Sequence, residues 1–191
     1  DAVTSEATNS KWVRSLAGSD VVARIQAGQI PIRWTSRWQV LADDPLKALG
    51  DDNPIERSAV LRGLLAEVER SKTSIRLISP YFVPGPKGTQ LLTGLDHDGR
   101  KVSVLTNSLA ANDVAAVHGG YMEYRPALLK GGVQLWELKP TGNAPSKFSL
   151  GGSSGSSLHT KAMIVDADTV FVGSYNLDPR STSLNSEQGV L

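Results

Sequence analysis

The sequence predicts an α/β domain built on a mixed or parallel sheet, and three observations carry that expectation. Short β-branched runs recur at 74–79 (SIRLIS), 101–106 (KVSVLT) and 133–138 (VQLWEL). Stretches with helical periodicity separate them. A hairpin pattern closes the chain, with 158–165 and 169–173 joined at DAD. Strands alternating with helices of this length build a sheet with helices packed on it.

Residues 1–29 read as a lead-in, polar at first, with a short amphipathic helix from Trp12 to Ile25. From residue 30 to 191 the chain reads as one domain. In IPIRWTSRWQVL, Ile32, Trp34, Trp38 and Val40 share one parity and Arg33, Thr35, Arg37 and Gln39 the other, which predicts a half-buried strand over 30–41. Asn53, Pro54 and Glu56 form a helix start, and Val60, Leu61, Leu64, Leu65 and Val68 then fall on one helical face. Further helices are predicted around 87–96 and 112–130. Residues 140–157 (PTGNAPSKFSLGGSSGSS) form a loop without periodicity, either a lid over the strand that begins beyond it or a disordered segment. The chain stops at Leu191 within a strand pattern, so a domain truncated at its C-terminus is expected.

At 191 residues, one hydrophobic core is the default. No run approaches the roughly 20 apolar residues of a spanning helix. A secretory leader pattern is missing too, which leaves export undecided because a processed chain looks the same. The balance of 20 basic and 19 acidic residues gives a net charge of +1, which argues against a nucleic-acid-tracking surface. Without cysteine there is no disulfide and no thiolate metal site, and His97, His118 and His159 are spaced unlike a zinc cluster. Metal-free chemistry without a cofactor is the expectation.

The stretch SSLHTKAMIVD concentrates the chemistry. On a strand, His159 and Lys161 point the same way as Met163 and Val165, whereas Asp166 has the opposite parity and suits the hairpin turn, where carboxylates bond backbone amides. Pairing across the turn brings Gly173, Ser174 and Asn176 back towards His159. An imidazole, an ammonium, an amide and a hydroxyl suit a phosphodiester, but a polar edge strand gives the same spacing. His97 reads as a surface residue. His118, beside Val114, Val117, Tyr121 and Tyr124, reads as a packed or interface histidine.

HTKAMIVD followed by GSYNLDPRS and Glu187 resembles the catalytic motif of the phospholipase D superfamily, and SPYFVPG, HGGYMEYRPALLKGGVQLWELKP and RWQVLADDP extend the resemblance to the second half of cardiolipin synthase-type members. The resemblance implies an α/β/α sandwich. It implies His159 as one of two catalytic histidines, Lys161 and Asn176 on the phosphate, Ser174 lining the pocket, and Glu187 orienting an imidazole. Asp166 and Gly173 become structural members of the motif, with Asp178, Arg180 and Ser181 shaping it.

Family members carry two such motifs and this chain carries one. The expected function is phosphatidyl transfer through a phosphohistidine, with the second motif supplied by an N-terminal half or by a homodimer partner. The alternatives are a phosphodiester hydrolase acting on lipid or nucleic acid, and a non-catalytic half-domain that binds lipid or a partner. The expected setting is bacterial, with a phospholipid substrate, peripheral contact with the cell membrane and no nucleic-acid partner.

Overall fold

A computed structural model describes residues 20–31, 34–49, 53–112, 114–139 and 157–191. The chain divides into two compact units, 1–38 and 39–191. In the first, the described helix α1 spans Asp20–Gln26. The rest of the helix expected from Trp12 lies outside the described residues, as do Ile32, Arg33 and the loop up to residue 156.

The second unit is a seven-stranded mixed sheet. Its elements in order are β1 (Val40–Ala42), a 3-10 turn (Lys47–Leu49), α2 (Pro54–Arg57), α3 (Ala59–Arg70), β2 (Ser74–Ile78), α4 (Gly85–His97), β3 (Lys101–Asn107), α5 (Ala115–Lys130), β4 (Gln134–Leu138), β5 (Lys161–Val165), β6 (Thr169–Gly173), α6 (Pro179–Ser183) and β7 (Gln188–Val190). The strand order is β1-β7-β6-β5-β2-β3-β4. β2, β3 and β4 run parallel through helical crossovers, and β5, β6, β7 and β1 join antiparallel. The α/β class expected from the alternation of helix and strand is the class observed.

Pleating puts alternate residues on opposite faces, and the buried apolar strand residues all take one of them. Leu41, Ile75, Leu77, Val102, Val104, Met163, Val165 and Phe171 form a single core with Val60, Leu64 and Val68 of α3, Leu92 and Leu95 of α4, and Tyr121 and Leu128 of α5. The three long helices of this unit therefore lie on one side of the sheet. Across the other side the register aligns one apolar residue per strand: Val40, Val190, Val172, Ala162, Ile78, Leu105 and Trp136.

Two local expectations change. The strand predicted over 30–41 begins only at Val40, and within it Leu41 is the buried residue while Val40 is exposed. β1 pairs with β7 over Val40–Ala42, and Gln39 and Leu191 exchange backbone hydrogen bonds beyond that ladder, at 2.8 and 2.9 Å. The helix expected to start at Asn53 is split: α2 is a single turn, and α3 takes its N-cap from Ser58, whose Oγ accepts the Leu61 N–H at 3.0 Å. Asn53 caps only the short turn, accepting the Ile55 N–H at 3.2 Å.

Candidate active site

The site assembles at the end of the sheet where the parallel strands finish and β5 begins. β3 ends in Asn107, 1% exposed, and its side-chain amide holds both backbone groups of Leu158. Asn107 Oδ1 accepts the Leu158 N–H at 2.9 Å, and Nδ2 donates to the Leu158 carbonyl at 3.2 Å. The residue before His159 is thereby fixed to the far end of a buried strand. No spacing in the sequence points to Asn107; a polar residue closing an apolar β-run is the one signal available.

Lys161 opens β5 and is buried, whereas His159 is exposed. The Lys161 ammonium donates to the His159 carbonyl at 2.7 Å and stands 3.5 Å from its Nδ1. The ammonium thus faces Nδ1, which leaves Nε2 for a substrate. Lys161 also sits opposite Gly173 in the β5–β6 register. That glycine and Gly189 on β7 meet over the ring of Phe171, and a Cβ on Gly173 would lie 2.4 Å from the Gln188 carbonyl oxygen. The close approach brings β7 against the hairpin and carries Ser174 and Glu187 with it.

Ser174 and Gln188 exchange backbone and side-chain bonds: the Ser174 N–H donates to the Gln188 carbonyl at 2.9 Å, and the Gln188 N–H to Ser174 Oγ at 3.0 Å. The Ser174 hydroxyl donates in turn to the Glu187 carboxylate. Glu187 is thus placed by the fold beside Ser174, and its bond runs there instead of to the His159 ring. Asn176 is buried, its N–H donating to Ser181 Oγ at 3.1 Å, while its Oδ1 has no hydrogen-bond partner. Asp178 caps α6 by accepting the Ser181 N–H at 2.8 Å, so the residues after Asn176 form a rigid corner.

Asp166 stands apart from this cluster. It occupies the β5–β6 turn at φ 50° and accepts the N–H groups of Lys72, Thr73 and Ser74 at 2.8, 2.8 and 2.9 Å. The bonds from Ser74, Thr73 and Lys72, in that order of weight, hold its carboxyl far below the usual carboxylate range. Parity assigns Asp166 to the turn, where the structure places it, although the amides it bonds belong to the segment leading into β2 and to its first residue, Ser74, and not to the turn itself.

His97 is exposed at the end of α4. His118 is buried on α5, edge-on to Tyr121 at a ring separation of 5.6 Å, as a packed histidine should be. Neither joins His159. An open cleft of about 600 Å³ is lined by His159, Lys161, Gly173 and Ser174, with Val172 and Val190 from the side of the sheet opposite the helices. It sets an imidazole, an ammonium and a hydroxyl against an apolar floor, which suits a ligand that is anionic at one end and apolar at the other.

Comparison with known proteins identifies the family. Residues 64–191 match the family described as "Cardiolipin synthase, PLD-like domain". The chain belongs to that family. It is 41% identical over 188 residues to cardiolipin synthase C of Escherichia coli K12, covering 96% of this chain and 39% of that protein. Cardiolipin synthase B of the same organism is 28% identical over 140 residues, covering 73% and 30% respectively. The chain spans well under half the length of these curated relatives. Among solved structures, the phospholipase D family member Nuc from Salmonella typhimurium superposes with a TM-score of 0.51 at 25% identity, covering 81% of this chain and 80% of that one. Phosphatidylserine synthase from Haemophilus influenzae shares the fold at a TM-score of 0.54 and 15% identity, covering 96% of this chain and 42% of that one.

Proposed function

We propose that this phospholipase D-like domain supplies one half-site of a bacterial phosphatidyltransferase acting at the membrane surface. The observation that carries the reading is the His159–Lys161 pair on one wall of an open cleft with Ser174, the ammonium 3.5 Å from one ring nitrogen.

A phosphodiester needs a nucleophile, a proton donor for the leaving alkoxide and cations for the equatorial oxygens. Lys161 serves the oxygens, aided by the Asn176 amide. His159 Nε2 serves as nucleophile or as acid, and a second histidine takes the other part. The attacking imidazole forms a P–N bond as the P–O bond to the first alcohol breaks, and the departing alkoxide takes a proton from the second histidine. An acceptor alcohol then gives that histidine its proton and attacks phosphorus, releasing the imidazole.

The second motif comes from another segment of the same protein, or from a second copy of this chain. Among the described residues no helix is long and apolar enough to cross a membrane, so contact through the surface fits this domain's part in the reaction.

The test is to incubate the chain with phosphatidylglycerol vesicles and quantify cardiolipin, phosphatidic acid and glycerol by mass spectrometry, beside His159→Ala. Cardiolipin that disappears with the substitution is the expected result. Phosphatidic acid alone makes water the acceptor and the enzyme a hydrolase. Failure to form any lipid product, repeated in a protein extended to carry a second His-x-Lys motif, sinks the lipid reading.

A further inference from the structure

Outside the cleft, in the segment LADDPLK, two opposite charges are buried together. The Lys47 ammonium lies 2.7 Å from Asp43 Oδ2, and their side chains are 1% and 0% exposed. Charges seldom go so deep unless paired and fully hydrogen-bonded. Here both carboxylate oxygens and the ammonium have hydrogen-bond partners, and those partners point to the pair's task.

Asp43 Oδ1 accepts the Ser58 hydroxyl at 2.9 Å and the Val60 N–H at 3.0 Å, which ties it to the start of α3. On its other side Asp43 holds the backbone of Glu187 twice. Its own N–H donates to the Glu187 carbonyl at 2.8 Å, and its Oδ2 accepts the Glu187 N–H at 3.2 Å. Lys47 donates to the Ser181 carbonyl at 2.6 Å, and Ser181 is the residue whose hydroxyl receives the Asn176 N–H. Burial pushes the Asp43 carboxyl up, but the bonds from Lys47, Val60, Ser58 and Glu187 outweigh it and hold the group below its usual range.

We infer that Asp43 and Lys47 are positioning residues for the cleft: the pair fixes Glu187 from one side and, through Ser181, Asn176 from the other, against the rigid start of α3. The inference rests on the reading of that cleft as a phosphodiester site. A purely cohesive ion pair has no need to bond the backbone of two site-bearing segments that are separated from it by 134 and 144 residues. Site groups displaced by ~1 Å lose on the order of 100-fold in rate, so a remote anchor of this kind carries functional weight.

The discriminating variant is D43N/K47M. The new amide oxygen can still accept from Ser58 and Val60, whereas the Glu187 N–H and the Ser181 carbonyl lose their partners. Amide hydrogen exchange and inorganic phosphate titration are both followed by NMR, with Ser58→Ala as a destabilised control that leaves the bonds to Glu187 and Ser181 in place. Expected in the double variant are faster exchange at Asn176 and Glu187, unchanged exchange at Val60 and along α4 and α5, and phosphate affinity lower by ~10-fold or more.

Exchange at Asn176 and Glu187 that stays at the parent level, or that rises no more than in Ser58→Ala, overturns the inference. If the double variant does not fold, native-state exchange of the parent in mild denaturant decides. The amides of Asp43, Val60, Asn176 and Glu187 must then open as one unit, and independent opening of the last two overturns the proposal. A parent chain that binds no phosphate counts against the phosphodiester reading, while the exchange pattern still decides whether Asp43 and Lys47 position these residues.

Discussion

Asp166 and Asp43 each join segments far apart in sequence, one at the surface of the hairpin turn and the other in the dry interior behind the cleft. Asp166 is satisfied by backbone N–H groups at and just before the start of β2, with no cation among its hydrogen-bond donors within the described residues. Asp43 needs a counter-charge, and its environment tolerates the loss of neither partner. The first junction sets the register of a hairpin. The second ties the start of α3 to Ser181 of α6 and to Glu187, the residue before β7. A surface carboxylate can thus organise backbone at little risk, whereas a buried one couples several elements and makes each dependent on the others.

The contrast is sharpest on removing Lys47. Lys47→Met leaves the Asp43 carboxylate buried and unpaired, for which a loss of about 3–5 kcal/mol is expected by urea denaturation. A loss below about 1 kcal/mol would put Asp43 in contact with water and break the contrast with Asp166. Smaller, and confined to the seam between the two regions, is Gly189→Ala. The added Cβ would meet the Phe171 ring at 2.4 Å and the Val172 carbonyl at 2.8 Å, so β7 must shift from the hairpin. Overpacking of this sort costs about 1–3 kcal/mol, and a stability unchanged within error would show that β7 yields freely.

How much of this is legible in the sequence divides along the same line. The hairpin and its motif are plain, because His159, Lys161, Asp166 and Ser174 lie within a short span whose parity can be counted. Helices α4 and α5 and strands β2 to β4 are equally plain from periodicity. The Asp43 junction is not, since apart from Lys47, four residues on, its partners lie 15 to 144 residues away and nothing local marks an aspartate as buried. Asn107 escapes for the same reason. The strand over 30–41 misleads because alternation does not say which parity faces the core: Leu41 is buried, while Trp34, Trp38 and Val40, which share the opposite parity, are exposed. The start of α3 misleads because two good caps, Asn53 and Ser58, lie five residues apart, and tertiary bonding to Asp43 favours the second.

The gentlest probe of the comparison is Asp166→Asn. The amide keeps one acceptor oxygen for the N–H groups of β2, so the variant folds and loses only part of the junction. In the parent, the Asp166 pKa is lowered on folding from its ordinary value of 3.8, so its contribution is complete above the unfolded value and drains away as pH falls through the folded one. The asparagine side chain cannot titrate. The stability gap between parent and variant should therefore be widest at about pH 6 and should narrow steadily on acidification below about pH 4, read from urea midpoints across that range. A gap that holds constant with pH would mean that the hydrogen bonds to Asp166 do not depend on its charge, and the two carboxylates would then differ in their partners' chemistry as well as in their burial.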